Sequence, residues 1–72
     1  MTSLRAIYAV SPDANRVIAL TTTATARVDV YRRLVADGVA KNDKGLLDKL
    51  HLAASELREA ACLVEQVVME AN

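Results

Sequence analysis

The second half of the chain carries the clearest hydrophobic pattern, because every position at alternating three- and four-residue spacing is apolar. This spacing places side chains on one side of an α-helix and is typical of helices that pack on other helices. It predicts a helix over residues 44–71, capped at its N-terminus by Asn42 or Asp43. The predicted core and dimer face consists of Leu46, Leu50, Ala53, Leu57, Ala60, Val64 and Val67, and Ala71 continues it.

A second apolar row runs beside this face and widens it. The row consists of Leu47, Ala54, Ala61 and Val68. Two packed helices share only a narrow strip of each surface, so one neighbouring helix cannot cover both rows. We therefore expect the second helix to contact two or more helices.

The first half of the chain predicts another helix, over residues 12–37. Ser11 is a suitable N-cap, Pro12 fits the first helical position, and Asp13 complements the helix dipole. Gly38 suits the position that follows a helix C-terminus. The apolar residues at helical spacing are Val17, Leu20, Ala24, Val28, Tyr31 and Val35.

These patterns predict an all-α fold with one domain over residues 1–72. Two helices of similar length joined by a short polar connection favour a two-helix antiparallel hairpin. Residues 1–10 form a short N-terminal arm whose pattern fits a helix or a strand. The excess apolar width of the second helix predicts that two hairpins dimerise into a four-helix bundle.

The size of the chain also favours a dimer. A domain of 72 residues has a core that supplies only about 3–5 kcal/mol, so such domains usually need a disulfide, a metal or a partner subunit. The single cysteine, Cys62, cannot form an internal disulfide, and with the single histidine, His51, it cannot complete a structural zinc site. Association with a partner subunit is therefore the source of stability that we expect.

Net charge and hydropathy exclude some classes of partner. The formal net charge is zero, so there is no general attraction to nucleic acid or to anionic lipid. No apolar stretch approaches the roughly 20 residues of a membrane-spanning helix, and the N-terminus lacks the pattern of a secretory leader. We expect a cytoplasmic protein without a membrane partner.

Charge is distributed unevenly along the chain. Residues 1–42 carry six basic and three acidic residues, whereas residues 43–72 carry three basic and six acidic residues. Two antiparallel helices with these opposite biases attract each other, although salt weakens the effect.

Two leucines on the polar side of the second helix indicate a site for another protein. Leu52 and Leu63 are aligned three turns apart, with Glu56 and Glu59 close by. Aligned apolar side chains rimmed by charge are typical of protein-binding surfaces. Isolated exposed leucines are also common and need no functional explanation.

A flank of the first helix gives an alternative function, nucleic-acid binding. Arg16 and Arg27 align on one flank and, with Arg33, would give a dimer a basic surface that contacts phosphates. The structural interpretation is a solvated flank whose arginine stems cover apolar surface. Interspersed acids and the lack of an aromatic stacking platform favour this second interpretation.

No motif predicts catalysis. His51 has no second histidine with which to form a metal or acid-base site, and Cys62 lies mid-helix, one turn after Arg58. We expect no cofactor, no metal and no small-molecule substrate. The sequence thus favours a non-enzymatic protein-protein interaction module, a homodimer that binds a second protein as a regulator, adaptor or inhibitor.

Overall fold

The computed structural model describes residues 12–71. The predicted arm over residues 1–10 and the predicted cap at Ser11 lie outside the described residues. Within the described part, α1 spans Pro12–Ala36 and α2 spans Lys44–Ala71. This part of the chain contains no strand, and the two helices pack against each other. The all-α prediction is confirmed there.

A glycine ends α1. Gly38 has a φ of 105°, a left-handed conformation that other residues adopt only with strain. Its N–H donates to the Val35 carbonyl at 3.1 Å, and the Val39 N–H donates to the Leu34 carbonyl at 3.0 Å. These two bonds form a Schellman motif, which satisfies carbonyls that the helix end leaves free. The seven residues 37–43 then turn the chain back toward α2.

Asp43 begins α2. Its carbonyl accepts from the Leu47 N–H at 2.9 Å, and its side-chain Oδ2 accepts from the Leu46 N–H at 3.2 Å. A carboxylate that accepts from the third helical N–H is the usual N-cap arrangement and also complements the positive end of the helix dipole. Of the two residues that the sequence offered as the cap, Asp43 makes this bond.

The two helices form a hairpin and run in opposite directions. Ala14 and Val17, near the start of α1, line a groove together with Val64 and Val67, near the end of α2. At mid-length Arg27 contacts Glu56, and beside the connection the Tyr31 hydroxyl donates to the Lys41 carbonyl at 3.3 Å. Residues of the two helices that lie at the same height therefore have numbers that add up to about 82.

The core between the helices is thin. Among residues 12–71, the buried side chains are Leu20, Ala24, Leu46, Ala53 and Ala60, and none is polar. Three of these five are alanines, which allow the helix backbones to approach closely but bury little apolar area. A row of this kind supplies only a small part of the stabilisation that a larger core gives.

A threonine run weakens α1 without ending it. The hydroxyls of Thr21, Thr22 and Thr23 donate to the carbonyls four residues earlier, at 2.9, 2.7 and 3.0 Å. Such bonds satisfy the hydroxyls but slightly destabilise a helix, and β-branched side chains lose rotamer freedom there. The stability of α1 therefore depends on its packing against α2.

The cap at Asp43 gives the first prediction. Asp43→Ala removes the acceptor for the Leu46 N–H, and we expect it to lower the free energy of unfolding by about 1 kcal/mol. Asp43→Asn keeps an acceptor at the same place and serves as the matched control, with a loss of only a few tenths of a kcal/mol. Urea unfolding followed by circular dichroism measures both. Equal losses for the two variants would contradict the assignment of the cap.

Candidate interaction surface

The hairpin is a single layer of two helices, and one side of this layer is apolar. Val28 and Leu57 line one groove on this side, with a volume of about 300 Å³. Ile18, Val64 and Val68 line a second groove, of about 240 Å³. Leu57 and Val64 are one heptad apart, so the two grooves lie on the same side of the hairpin. We call these five residues the apolar face; each has between 45% and 59% of its surface exposed.

The position of the apolar face follows from the heptad pattern of α2. Leu46, Ala53 and Ala60, seven residues apart, point at α1 and are buried. Two further rows lie one residue and four residues after each of these positions. Both rows point to one side of the contact with α1, and they supply the part of the apolar face that α2 contributes. The first row contains Leu47, Ala54, Ala61 and Val68, and the second contains Leu50, Leu57, Val64 and Ala71. The helix therefore has more apolar width than α1 covers.

The seven residues of the predicted core and dimer face divide into three groups. Leu46, Ala53 and Ala60 are buried against α1, whereas Leu50 and Val67 are half-buried. Leu57 and Val64 are 48% and 46% exposed. Leu57 and Val64 are exposed because their row lies on the side of the contact that α1 leaves open, although Leu50 of the same row is half-buried.

The opposite side of the hairpin carries ion pairs between the helices. Arg27 Nε donates to Glu56 Oε1 at 2.8 Å, and these side chains are 31% and 19% exposed. Arg16 Nη2 lies 3.5 Å from Glu59 Oε2, and that pair is 59% and 50% exposed. We call this side the ion-paired face. Partly buried pairs are screened less by water and salt than exposed pairs, so the Arg27–Glu56 pair is the stronger contact.

The residues predicted to bind a protein partner lie on or beside the ion-paired face. Leu52 is 51% exposed, and Leu63 is half-buried. Glu56 and Glu59, which the sequence placed around these leucines, form pairs with the arginines of α1 instead. Leu52 is thus the exposed apolar side chain of this set.

The three arginines of the nucleic-acid hypothesis all have carboxylate partners. Arg16 and Arg27 pair with the two glutamates of α2, and Arg33 Nε lies 2.9 Å from Asp29 Oδ2. Arg33 also lies about a third of a helical turn away from the flank that the other two arginines share. Phosphate binding depends on uncompensated positive charge along one surface, and these residues do not provide it.

The cross-helix pairs are the feature that sequence reasoning missed. Arg16 and Arg27 were assigned to one possible site and Glu56 and Glu59 to another, although each arginine has one of these glutamates as its partner. The signal was present in the opposite charge bias of the two halves of the chain, which predicted attraction between the helices. It did not say which side chains meet, because that depends on the rotation of each helix about its axis.

The structure places the remaining candidate residues on the surface. His51 and Cys62 are both exposed. Among residues 12–71, no group of three or more histidine, cysteine or acidic side chains could hold a metal ion. Neither of the two described helices is long and apolar enough to span a bilayer.

Comparison of the chain with protein-family models, with curated proteins and with solved structures found no match in any of the three. The two faces of the hairpin are therefore the features that bear on its function.

The two ion pairs give a prediction about their relative strength. A double-mutant cycle on Arg27 and Glu56, with alanine at each position, should give a coupling energy of about 1 kcal/mol, because the pair is hydrogen-bonded and partly buried. The same cycle on Arg16 and Glu59 is the control and should give less than about 0.3 kcal/mol. Urea unfolding at a fixed protein concentration measures all the variants, and equal couplings would contradict this assignment.

Proposed function

We propose that this protein is a non-enzymatic interaction module that self-associates through its apolar face to form a four-helix bundle. In this proposal the ion-paired face stays outside, where Leu52 is available to a second protein, and the module acts as a regulator, adaptor or inhibitor. The observation that carries the proposal is the one-sided distribution of apolar side chains, with Ile18, Val28, Leu57, Val64 and Val68 about half exposed on one face.

An exposed apolar face of this kind is unfavourable in water. Exposed apolar surface costs about 25 cal/mol per Å² relative to buried surface, and contiguous apolar patches usually mark interaction sites. On this hairpin the face runs the length of α2 and includes Ile18 and Val28 of α1, whereas the other side carries ion pairs. A partner that covers the face stabilises a domain whose own core is thin.

The size of the face fits a specific interface. The 28 residues of α2 give a length of about 42 Å at 1.5 Å per residue. Two helices spaced about 8–10 Å apart present a layer about 20 Å wide, so the footprint is about 800 Å². A specific protein-protein interface buries about 800 Å² per partner. A second copy of the hairpin has a footprint of the same size.

A catalytic function lacks comparable support. Catalytic sites place polar side chains where they are shielded from water and directed at a reacting group. Among the described residues the buried side chains are all apolar, and the grooves on the apolar face are lined mostly by valine, leucine and alanine. These surfaces suit apolar packing between helices better than chemistry on a small molecule.

The mass of the protein in solution tests self-association directly. Gel filtration with light scattering should give twice the 7.8 kDa mass of the chain at micromolar concentrations. A folded, helical monomer up to about 100 μM would overturn the proposal, because an interface of this size and composition usually gives a Kd well below that concentration.

A pair of matched variants tests whether the apolar face is the surface involved. Leu57→Asp places a charge on the apolar face, and we expect it to convert the dimer to monomer or to unfold it, since a charge buried without a partner costs several kcal/mol. Leu52→Asp is the control, because Leu52 is the same residue type on the same helix with similar exposure, 51% against 48%. The control should keep both helicity and dimeric mass. Loss of the dimer in the control alone would place the interface on the ion-paired face.

A further inference from the structure

The two helices contribute unequally to the apolar face. Along α2, both rows that point to this side are apolar over their whole length. Along α1, one row on this side contains Ala14, Thr21, Val28 and Val35, and the outer row contains Ile18, Thr25 and Arg32. The groove at mid-length is lined by Thr25, Asp29 and Arg32 as well as by Val28 and Leu57. The half of α1 that is nearer the connection therefore places Asp29 and Arg32 beside Val28 on the side where α2 is apolar.

Two symmetric arrangements bring the apolar faces of two hairpins together. A two-fold axis that runs across the helices stacks α2 on the α2 of the second copy and puts the two connections at opposite ends of the bundle. A two-fold axis that runs along the helices stacks α2 on the α1 of the second copy and puts both connections at the same end. Both axes give closed dimers with the same patch on each copy.

The outer row of α1 distinguishes the two arrangements. With the connections at the same end, Arg32 of one copy lies over Leu50 of the other, because residues at the same height have numbers that add up to about 82. The apolar rows of α2 near the connection would then face Arg32 and Asp29 and would bury charge against leucine. With the connections at opposite ends, the apolar rows of the two α2 helices cover each other along their whole length, and the mixed rows of the two α1 helices cover each other, with Arg32 over Ile18 of the second copy.

Charge complementarity favours the same arrangement. The half of the hairpin far from the connection, residues 12–25 and 58–71, has two basic and four acidic residues, a net charge of −2. The half near the connection, residues 26–57, has six basic and five acidic residues, a net charge of +1. With the connections at opposite ends, the half with a net charge of −2 lies over the half of the second copy with a net charge of +1. With the connections at the same end, the two halves of net charge −2 lie over each other, and so do the two halves of net charge +1. The difference is modest and sensitive to salt, but it agrees in sign with the apolar argument.

We infer that the partner of the apolar face is a second copy of this chain, with α2 stacked on α2 in opposite directions and the two connections at opposite ends of the bundle. This inference rests on the proposed self-association. Leu57, at the middle of α2, lies beside Leu57 of the second copy. Leu50 lies beside Val64 of the second copy, because seven residues separate each of them from Leu57.

Distances between spin labels distinguish the arrangements without changing the interface. Lys41 is exposed and lies on the connection, outside the residues that define the apolar face. In a Cys62→Ser background, a nitroxide at Lys41→Cys should be about 40 Å from its counterpart by double electron-electron resonance, because α2 is about 42 Å long. Connections at the same end would bring the two labels within about 25 Å.

A reciprocal sample provides the control. Met69 is exposed at the far end of α2, and mixed dimers with one chain labelled at Lys41→Cys and the other at Met69→Cys should show the short distance of about 20–25 Å. A short Lys41–Lys41 distance with a long mixed distance would overturn the arrangement and leave the proposed self-association intact. Labelled chains without dipolar coupling and with monomeric mass would overturn both.

Discussion

Burial of the apolar rows of α2 is the constraint on which the rest of this structure depends. One row of small and large side chains packs on α1, and the small residues at its centre, Ala53 and Ala60, allow the backbones to approach closely. The two other apolar rows lie beside this contact and point away from it. A hairpin alone cannot bury all three rows, because a single antiparallel neighbour covers only a strip of the helix surface.

The other features of the hairpin follow from this constraint. The Gly38 turn and the Asp43 cap set where the helices end and begin, so the chain reverses within a few residues. The Arg27–Glu56 pair occupies the side of the contact that carries no apolar row. Charged side chains on that side and apolar side chains on the other give the layer one face suited to water and one suited to another layer of helices.

The parts of the fold that depend on local pattern could be predicted from the sequence. The three- and four-residue spacing predicted both helices, Gly38 was predicted to follow the first, and Asp43 was one of two candidate caps. The side-chain pairing between helices could not be predicted, because it depends on how each helix is rotated toward the other. Glu56 and Glu59 illustrate this point: on an isolated helix they border Leu52 and Leu63, but in the hairpin they contact Arg27 and Arg16.

The central claim is that the apolar face of one hairpin needs a second copy to cover it, so folding and association are coupled. Thermal unfolding followed by helicity, at protein concentrations that span about 100-fold, tests this claim most directly. A domain stabilised by self-association has a Tm that rises with protein concentration, because only the folded chain forms the dimer. The account predicts a rise of several degrees over this range. A Tm that is independent of concentration would contradict it.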